Sequence, residues 1–198
     1  TLDGMGGTAD VVDSLVGGDG SDLIYYHGNE SVDGDSGSGG GSGGVDTLLV
    51  TKDATAAVSI DGSTIQNIEV VTLAKDATAA IDASSAGTAL TINGNAEATS
   101  IAGSAVADVI YGGGGADSIA AGAGDDFVEI TANTFGAGVA DGGAGSDTLS
   151  FGAANDSITF SDAAGNLTIA SKVGKTVDTL SGISGFEAYT GGAGNDTL

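Results

Sequence analysis

The chain of 198 residues has no cysteine, no proline, no tryptophan, one histidine and four basic residues, all of them lysine. Without cysteine no disulfide can staple the fold. Four lysines against 27 acidic residues leave a formal net charge of −23, which excludes nucleic acid as a partner, because phosphate binding needs clustered cations. The same imbalance excludes docking on anionic membrane through a polybasic patch. No apolar run approaches the roughly 18–20 residues of a membrane-spanning helix, so no membrane insertion is expected. Aromatic residues make up 5% of the chain, so the core must be thin and built from Ala, Val, Ile and Leu.

What the chain has instead is glycine, at 37 positions, and 40% hydrophobic residues. The glycines are ordered. Gly-Gly-x-Gly-x-Asp occurs at residues 17–22, 112–117, 142–147 and 191–196, each time running into x-apolar. Each block joins a tight glycine-permitted turn to one carboxylate and one short strand. When stacked, such turns form cation cages, so the motif bears on fold and ligand together.

Between residues 85 and 129 the register is strict: Ile92, Ile101, Ile110, Ile119 and Val128 fall nine residues apart. Two nonapeptides make an eighteen-residue coil with two short strands, and one inward side chain from each strand builds the core. The register then breaks, with an apparent insertion at 130–141, and resumes through Leu149 to Asp156 and Ile158. Asp22 and Asp46 lie 24 residues apart, which predicts a wider coil.

Residues 47–93 carry strand-rich phrases without Gly-x-Asp punctuation and are expected to form cation-free β-helix. Lys-Asp-Ala-Thr-Ala-Ala recurs at 52–57 and 75–80, so Lys52-Asp53 should lie over Lys75-Asp76 one coil away. The last stretch, 159–198, reads as further strands with a hairpin turn at Ala163–Asn166, ending in a repeat. The segments are therefore 1–46 (repeat coils), 47–93 (plain β-helix), 94–158 (repeat coils) and 159–198 (strand-rich), within one elongated solenoid. Repeats that stop mid-block at both ends raise the expectation that the chain is part of a longer array.

These nonapeptides resemble the RTX family, the calcium-binding repeats of Gram-negative proteins exported by type I secretion, over residues 1–25, 94–129, 142–158 and 191–198. The resemblance implies an all-β, right-handed parallel β-roll or β-helix with Ca²⁺ between turns stacked one coil apart. Carried onto this sequence, the metal ligands would be the side chains of Asp22, Asp46, Asp108, Asp117, Asp126, Asp147, Asp156 and Asp196. Their turn glycines would add carbonyl oxygens: Gly18, Gly20, Gly113, Gly115, Gly122, Gly124, Gly143, Gly145, Gly192 and Gly194.

The pattern has gaps. Gly103-Ser-Ala-Val-Ala-Asp108 keeps one glycine, Ala121 replaces the leading glycine of its block, and Thr99 stands where an aspartate belongs. Asp108 with Asp126 is the expected best pair, and Asp117 over Thr99 a half-site. Calcium suits the donors: a hard ion taking six to eight oxygens at about 2.3–2.6 Å in adaptable geometry, whereas magnesium demands a rigid octahedron. Transition metals lack the thiolate or imidazole ligands they prefer. Isolated aspartates such as Asp3 and Asp61 are better explained as turn caps.

Candidates for catalysis are weak. His27 is the one histidine and has no evident nucleophile with it. Lys52 and Lys75 are better read as surface ion pairs than as the bases of a polysaccharide lyase. Asp125-Asp126 and Asp33-Gly-Asp35 could serve glycoside hydrolysis, but their place in turns favours metal binding or solvation. The chain is not expected to be an enzyme. IQNIEVVTLAKDATAAIDAS followed by RTX repeats is similar, more loosely, to bacterial S-layer proteins and large RTX adhesins. The resemblances imply a secreted, cell-surface structural module that folds on calcium. Its partners would be copies of itself or cell-surface polysaccharide. The alternative is the repeat module of a secreted enzyme or toxin.

Overall fold

The computed structural model describes residues 1–3, 13–35, 44–130, 138–152, 156–161, 166–171, 178–180 and 183–190, and of the stretches between 156 and 180 the backbone alone. Among them there is strand and turn, and no helix. The main wall is a nine-stranded sheet, parallel at every pairing: Leu2–Asp3, Leu23–Tyr26, Thr47–Val50, Val70–Leu73, Thr91–Asn95, Val109–Gly113, Phe127–Ile130, Thr148–Ser150 and Ala188–Thr190. Facing elements form a six-stranded parallel sheet of Val58–Ser59, Ile81–Asp82, Ser100–Ala102, Ser118–Ala123, Val139–Ala144 and Ile183–Ser184. A third parallel wall, Ser14–Val16, Ser31–Asp33 and Ile65–Gln66, lines the widest coils.

Strands this short place one or two side chains inward, and the parallel register stacks each on its counterpart one coil away. In the main sheet the column is Ile24, Leu48, Val71, Ile92, Ile110, Val128 and Leu149, all with no solvent exposure. The opposite column is Val58, Ile81, Ile101, Ile119, Ala140 and Ile183. The core is thus a file of aliphatic side chains about 4.8 Å apart, as the nine-residue spacing of 92–128 predicts. Steps along the main column are 24, 23, 21, 18, 18 and 21 residues, so wide and narrow coils share one sheet. The boundaries at 46/47 and 93/94 mark a change of turn chemistry, with the sheet continuous across both. Leu49 pairs with Thr72 and Val50 with Leu73, which brings Lys52-Asp53 over Lys75-Asp76 as expected.

Two expectations need correction. The insertion at 130–141 adds only three residues to its coil, 21 against 18, because Ile130 and Val139–Asp141 are themselves strand. Asp156 and Ile158 do not continue the nonapeptide ladder. Asp156–Ser161 pairs antiparallel with Asn166–Ser171, which pairs antiparallel with Asp178–Leu180. This meander leaves the solenoid after Ser150, and the coils resume at Ile183 and Ala188. Ile158 sits opposite Ile169 in that register, which places it in the meander and not in a solenoid coil. The hairpin closes between Ser161 and Asn166, and most of the turn foreseen at Ala163–Asn166 lies outside the described residues.

Ile110 lies mid-column with both stacking partners buried. Ile110→Ala should cost about 2–5 kcal/mol of unfolding free energy in saturating calcium. Val106→Ala, at a turn residue 39% exposed, should stay within about 0.5 kcal/mol; chemical denaturation of both variants measures the difference.

Candidate metal centre

A carboxylate stands two residues before the inward side chain of nearly every main-sheet strand: Asp22, Asp46, Glu69, Asp108, Asp126, Asp147 and Glu187 precede Ile24, Leu48, Val71, Ile110, Val128, Leu149 and Tyr189. Alternation puts residues i and i−2 on the same face, so these acids stand at the strand entrance on the inward side, buried or half-buried except for the exposed Glu187. Asp46, Asp108, Asp126 and Asp147 are at most 2% exposed.

Each carboxylate reaches back one coil to a main-chain N–H at the same ladder position. The donor–acceptor distances are 2.7 Å from Asp22 N to Asp46 Oδ1, 2.9 Å from Asp46 N to Glu69 Oε2 and 2.7 Å from Leu90 N to Asp108 Oδ1. Asp108 N to Asp126 Oδ1 and Asp126 N to Asp147 Oδ1 are both 2.8 Å, as is Asp147 N to Glu187 Oε2. On the opposite edge, Thr99 N donates to Asp117 Oδ1 at 2.9 Å. Leu90 interrupts the acidic column between Glu69 and Asp108.

The second oxygen of each aspartate decides what the ladder can hold. Among the described residues, the buried side-chain polar atoms with no hydrogen-bond partner are Oδ2 of Asp117, Asp126 and Asp147. All three belong to turns with glycine in the left-handed region at positions two and four: Gly113 and Gly115, Gly122 and Gly124, Gly143 and Gly145. In the degenerate turn 103–108 the second position is Ser104, whose N–H donates to Asp108 Oδ2 at 2.6 Å. Asp108 is therefore satisfied by its own turn. The expected Asp108–Asp126 pair is stacked, but Asp126 alone keeps an open oxygen. Asp117, foreseen as half a site, has the same open oxygen as Asp126 and Asp147.

Glycine at these turns has two causes. Gly143 has φ +95° and Gly145 φ +150°, conformations a side chain disfavours. A Cβ on either would also overlap the carbonyl oxygen of the glycine beneath it, Gly122 or Gly124. Leading glycines make room for the carboxylate, since a Cβ on Gly112 would lie 3.2 Å from Asp117 Oδ2 and one on Gly142 2.8 Å from Asp147 Oδ2.

Burying acids with incomplete hydrogen bonding disfavours their charged form. Burial pushes the Asp117 carboxyl up to about 6, against the lowering pull of the Thr99 N–H. Burial likewise raises Asp126, opposed by the Asp108 N–H and reinforced by Asp108, Asp147 and Asp125. Asp46 is raised by burial, lowered by the Asp22 N–H and raised again by Glu69, Asp22 and Asp35. Open, buried, charge-frustrated oxygens fit a hard cation. No group of three or more His, Cys, Asp or Glu converges among the described residues, and the open buried atoms are all carboxylate oxygens. That donor set fits calcium and not zinc or copper.

The RTX calcium-binding nonapeptide repeat model matches residues 93–128, 139–158 and 178–198. Four RTX calcium-binding repeats lie within these stretches. The matched part of the chain is therefore a calcium-binding repeat module, and the open oxygens of Asp126 and Asp147 on the main ladder and of Asp117 on the opposite edge lie within it. No curated protein and no solved structure matches the chain. Residues 1–25 lie outside the matched RTX stretches, although Asp22 and Asp46 stand on the same ladder with Gly18 and Gly20 at φ +98° and +97°. The last RTX block, with Gly192, Gly194 and Asp196, lies outside the described residues. Asp156, off the ladder, is not stacked with the other aspartates.

Three acidic residues of this architecture escape a glycine-first reading of the sequence. Glu69 and Glu187 hold ladder positions without a glycine turn before them; the signal was the acid-x-apolar spacing they share with the aspartates. Glu30, 3% exposed, accepts the main-chain N–H groups of His27, Gly28 and Asn29 at 3.0, 2.9 and 3.1 Å and so holds a turn shut. His27 braces three coils, with Nε2 2.9 Å from Asp3 Oδ1 and Nδ1 2.9 Å from Thr51 Oγ1. Lys52 and Lys75 form exposed ion pairs with Asp53 and Asp76 at 2.8 and 2.6 Å. Asp61 caps a turn through the N–H groups of Thr64 and Ser63, which pull its carboxyl down to about 2.

Asp117→Asn, Asp126→Asn and Asp147→Asn should each weaken calcium binding about tenfold or more, roughly 1.4 kcal/mol. Asp108→Asn should leave it nearly unchanged, and isothermal titration of the four variants separates the two classes. A second expectation concerns acid. Asp46, Asp117 and Asp126 have folded carboxyls above the unfolded 3.8, so their contribution is full below about pH 4 and is lost as pH rises through the folded values, about 6 for Asp117. In chelator, strand content by far-UV circular dichroism should therefore increase on going from pH 7 to pH 4.5. In calcium the trend should reverse, because protons compete with the ion.

Proposed function

We propose that the chain is a segment of an extracellular scaffold of the S-layer or RTX-adhesin type, folded and stiffened by calcium after export by type I secretion. The observation that carries this reading is the single file of aliphatic side chains that runs unbroken through RTX coils and plain coils alike. A module that only had to trail behind a catalytic domain gains nothing from metal-free β-helix built into the same sheet. A rod that spans distance gains length and stiffness.

The switch follows from composition and geometry. With a net charge of −23 and buried acids stacked one coil apart, the chain repels itself, and its glycines give the unfolded state high entropy. Bound calcium supplies the positive charge that offsets this, and it stabilises the folded state by mass action. At the affinities of extracellular modules, about 10⁻⁴–10⁻³ M, the chain is unfolded inside a cell and folded outside. The acidic surface suits bridging to neighbouring copies, or to cell-surface polysaccharide, through further divalent ions. Were the chain instead the repeat module of a secreted enzyme or toxin, it would fold on calcium but not assemble.

Circular dichroism should show strand signal rising with calcium in the millimolar range and falling in chelator. Negative-stain electron microscopy at high protein concentration should show ordered assemblies only with calcium. Full strand signal in chelator contradicts the switch, and particles that stay single in calcium favour the enzyme-linked alternative.

A further inference from the structure

Ile65-Gln-Asn-Ile-Glu-Val-Val-Thr72 and Ile183-Ser-Gly-Phe-Glu-Ala-Tyr-Thr190 are 118 residues apart in the sequence, yet they are built alike. The leading isoleucine of each is buried in a parallel wall, Ile65 beside Val32 and Ile183 beside Ala140. The third residue is left-handed, Asn67 at φ +53° and Gly185 at φ +70°. The fourth is apolar and buried, Ile68 and Phe186. The glutamate accepts the N–H of the ladder aspartate one coil back, Asp46 at 2.9 Å and Asp147 at 2.8 Å. Two residues later, Val71 stacks on Leu48 and Tyr189 on Leu149.

The two turns depart from the RTX turns in the same way. From inward strand residue to ladder carboxylate takes seven residues in the glycine turns, as from Ile119 to Asp126 or Ala140 to Asp147, but four from Ile65 to Glu69 and from Ile183 to Glu187. The shorter turn still covers the corner: the Asn67 and Gly185 carbonyls press on Gly34 and Gly142, the leading glycines of the coils beneath. The extra methylene of glutamate lets its carboxylate keep the bond to the previous coil that an aspartate makes elsewhere. Neither glutamate leaves a buried oxygen without a partner, in contrast to Asp117, Asp126 and Asp147. Glu69 is half-buried and Glu187 exposed, so water can solvate what the protein does not. Beyond Glu69 the next ladder position is Leu90, and the acidic column stops there.

We propose that Ile65–Glu69 and Ile183–Glu187 are two copies of one closing turn, which ends a calcium ladder without binding metal itself. Among the described residues the solenoid thereby carries two ladders, Asp22 with Asp46 and Asp108 through Asp147, each sealed by a glutamate bonded to main chain. The inference rests on the calcium-module reading, and the two can fail separately. Three residues deleted from the turn remove the carbonyls a cation would need, and the buried Ile68 or Phe186 holds the shortened turn on the core instead.

Glu69→Gln and Glu187→Gln keep an acceptor oxygen and remove the charge. In saturating calcium, native mass spectrometry of the full chain should count as many bound ions in both variants as in the parent chain. Loss of one ion from either variant makes that glutamate a calcium ligand and overturns the proposal. Glu187→Ala should speed hydrogen exchange at the Asp147 amide about tenfold or more in calcium, while Glu187→Gln leaves it unchanged; an Asp147 amide indifferent to Glu187→Ala also overturns it. A parent chain that binds no calcium would instead refute the module reading.

Discussion

The structure turns on one frustrated interaction: carboxylates buried at the coil corners, each with one oxygen bonded to the coil behind and, in the glycine turns, the other oxygen left without a donor. An unpaired buried acid is among the costliest groups a protein can hold. Here the cost recurs along a ladder in a chain that is already strongly acidic. The rest of the architecture serves either to create these open oxygens or to relieve them. Glycine at the second turn position creates them, because where Ser104 stands instead its N–H closes onto Asp108. A calcium ion held at the glycine turns would relieve them.

The aliphatic file supplies what the ladder cannot. Ile, Val and Leu stacked at the sheet spacing give each coil a small apolar contribution whether its turns bind metal or not, which explains how RTX and plain coils alternate within one sheet. Coil length changes between 18 and 24 residues without disturbing that file, because the extra residues are absorbed at corners. Stability is thus divided between a constant term along the core and a calcium-dependent term at the edges.

Much of this was legible in the sequence, because a nonapeptide ties turn, carboxylate and inward residue to fixed offsets. The columns through Ile92–Val128, the 24-residue step from Asp22 to Asp46 and the stacking of Lys52 over Lys75 could all be read from spacing. Other features could not. Asp156-Ser-Ile158 has the letters of a repeat strand, and only its pairing with Ile169–Ser171 shows that it left the solenoid. Asp108 looks as good a ligand as Asp126, since the difference lies in where one N–H points. Glu69 and Glu187 lacked the Gly-Gly-x-Gly block that advertises a turn, although they keep the same two-residue spacing to the core.

The most direct test of the central claim is a crystal structure of the chain grown in millimolar calcium, with anomalous scattering collected to identify the ion. The account predicts calcium about 2.3–2.6 Å from Oδ2 of Asp117, Asp126 and Asp147, and none held by Oδ2 of Asp108. Those three oxygens hydrogen-bonded to protein or water, with no ion beside them, would contradict it.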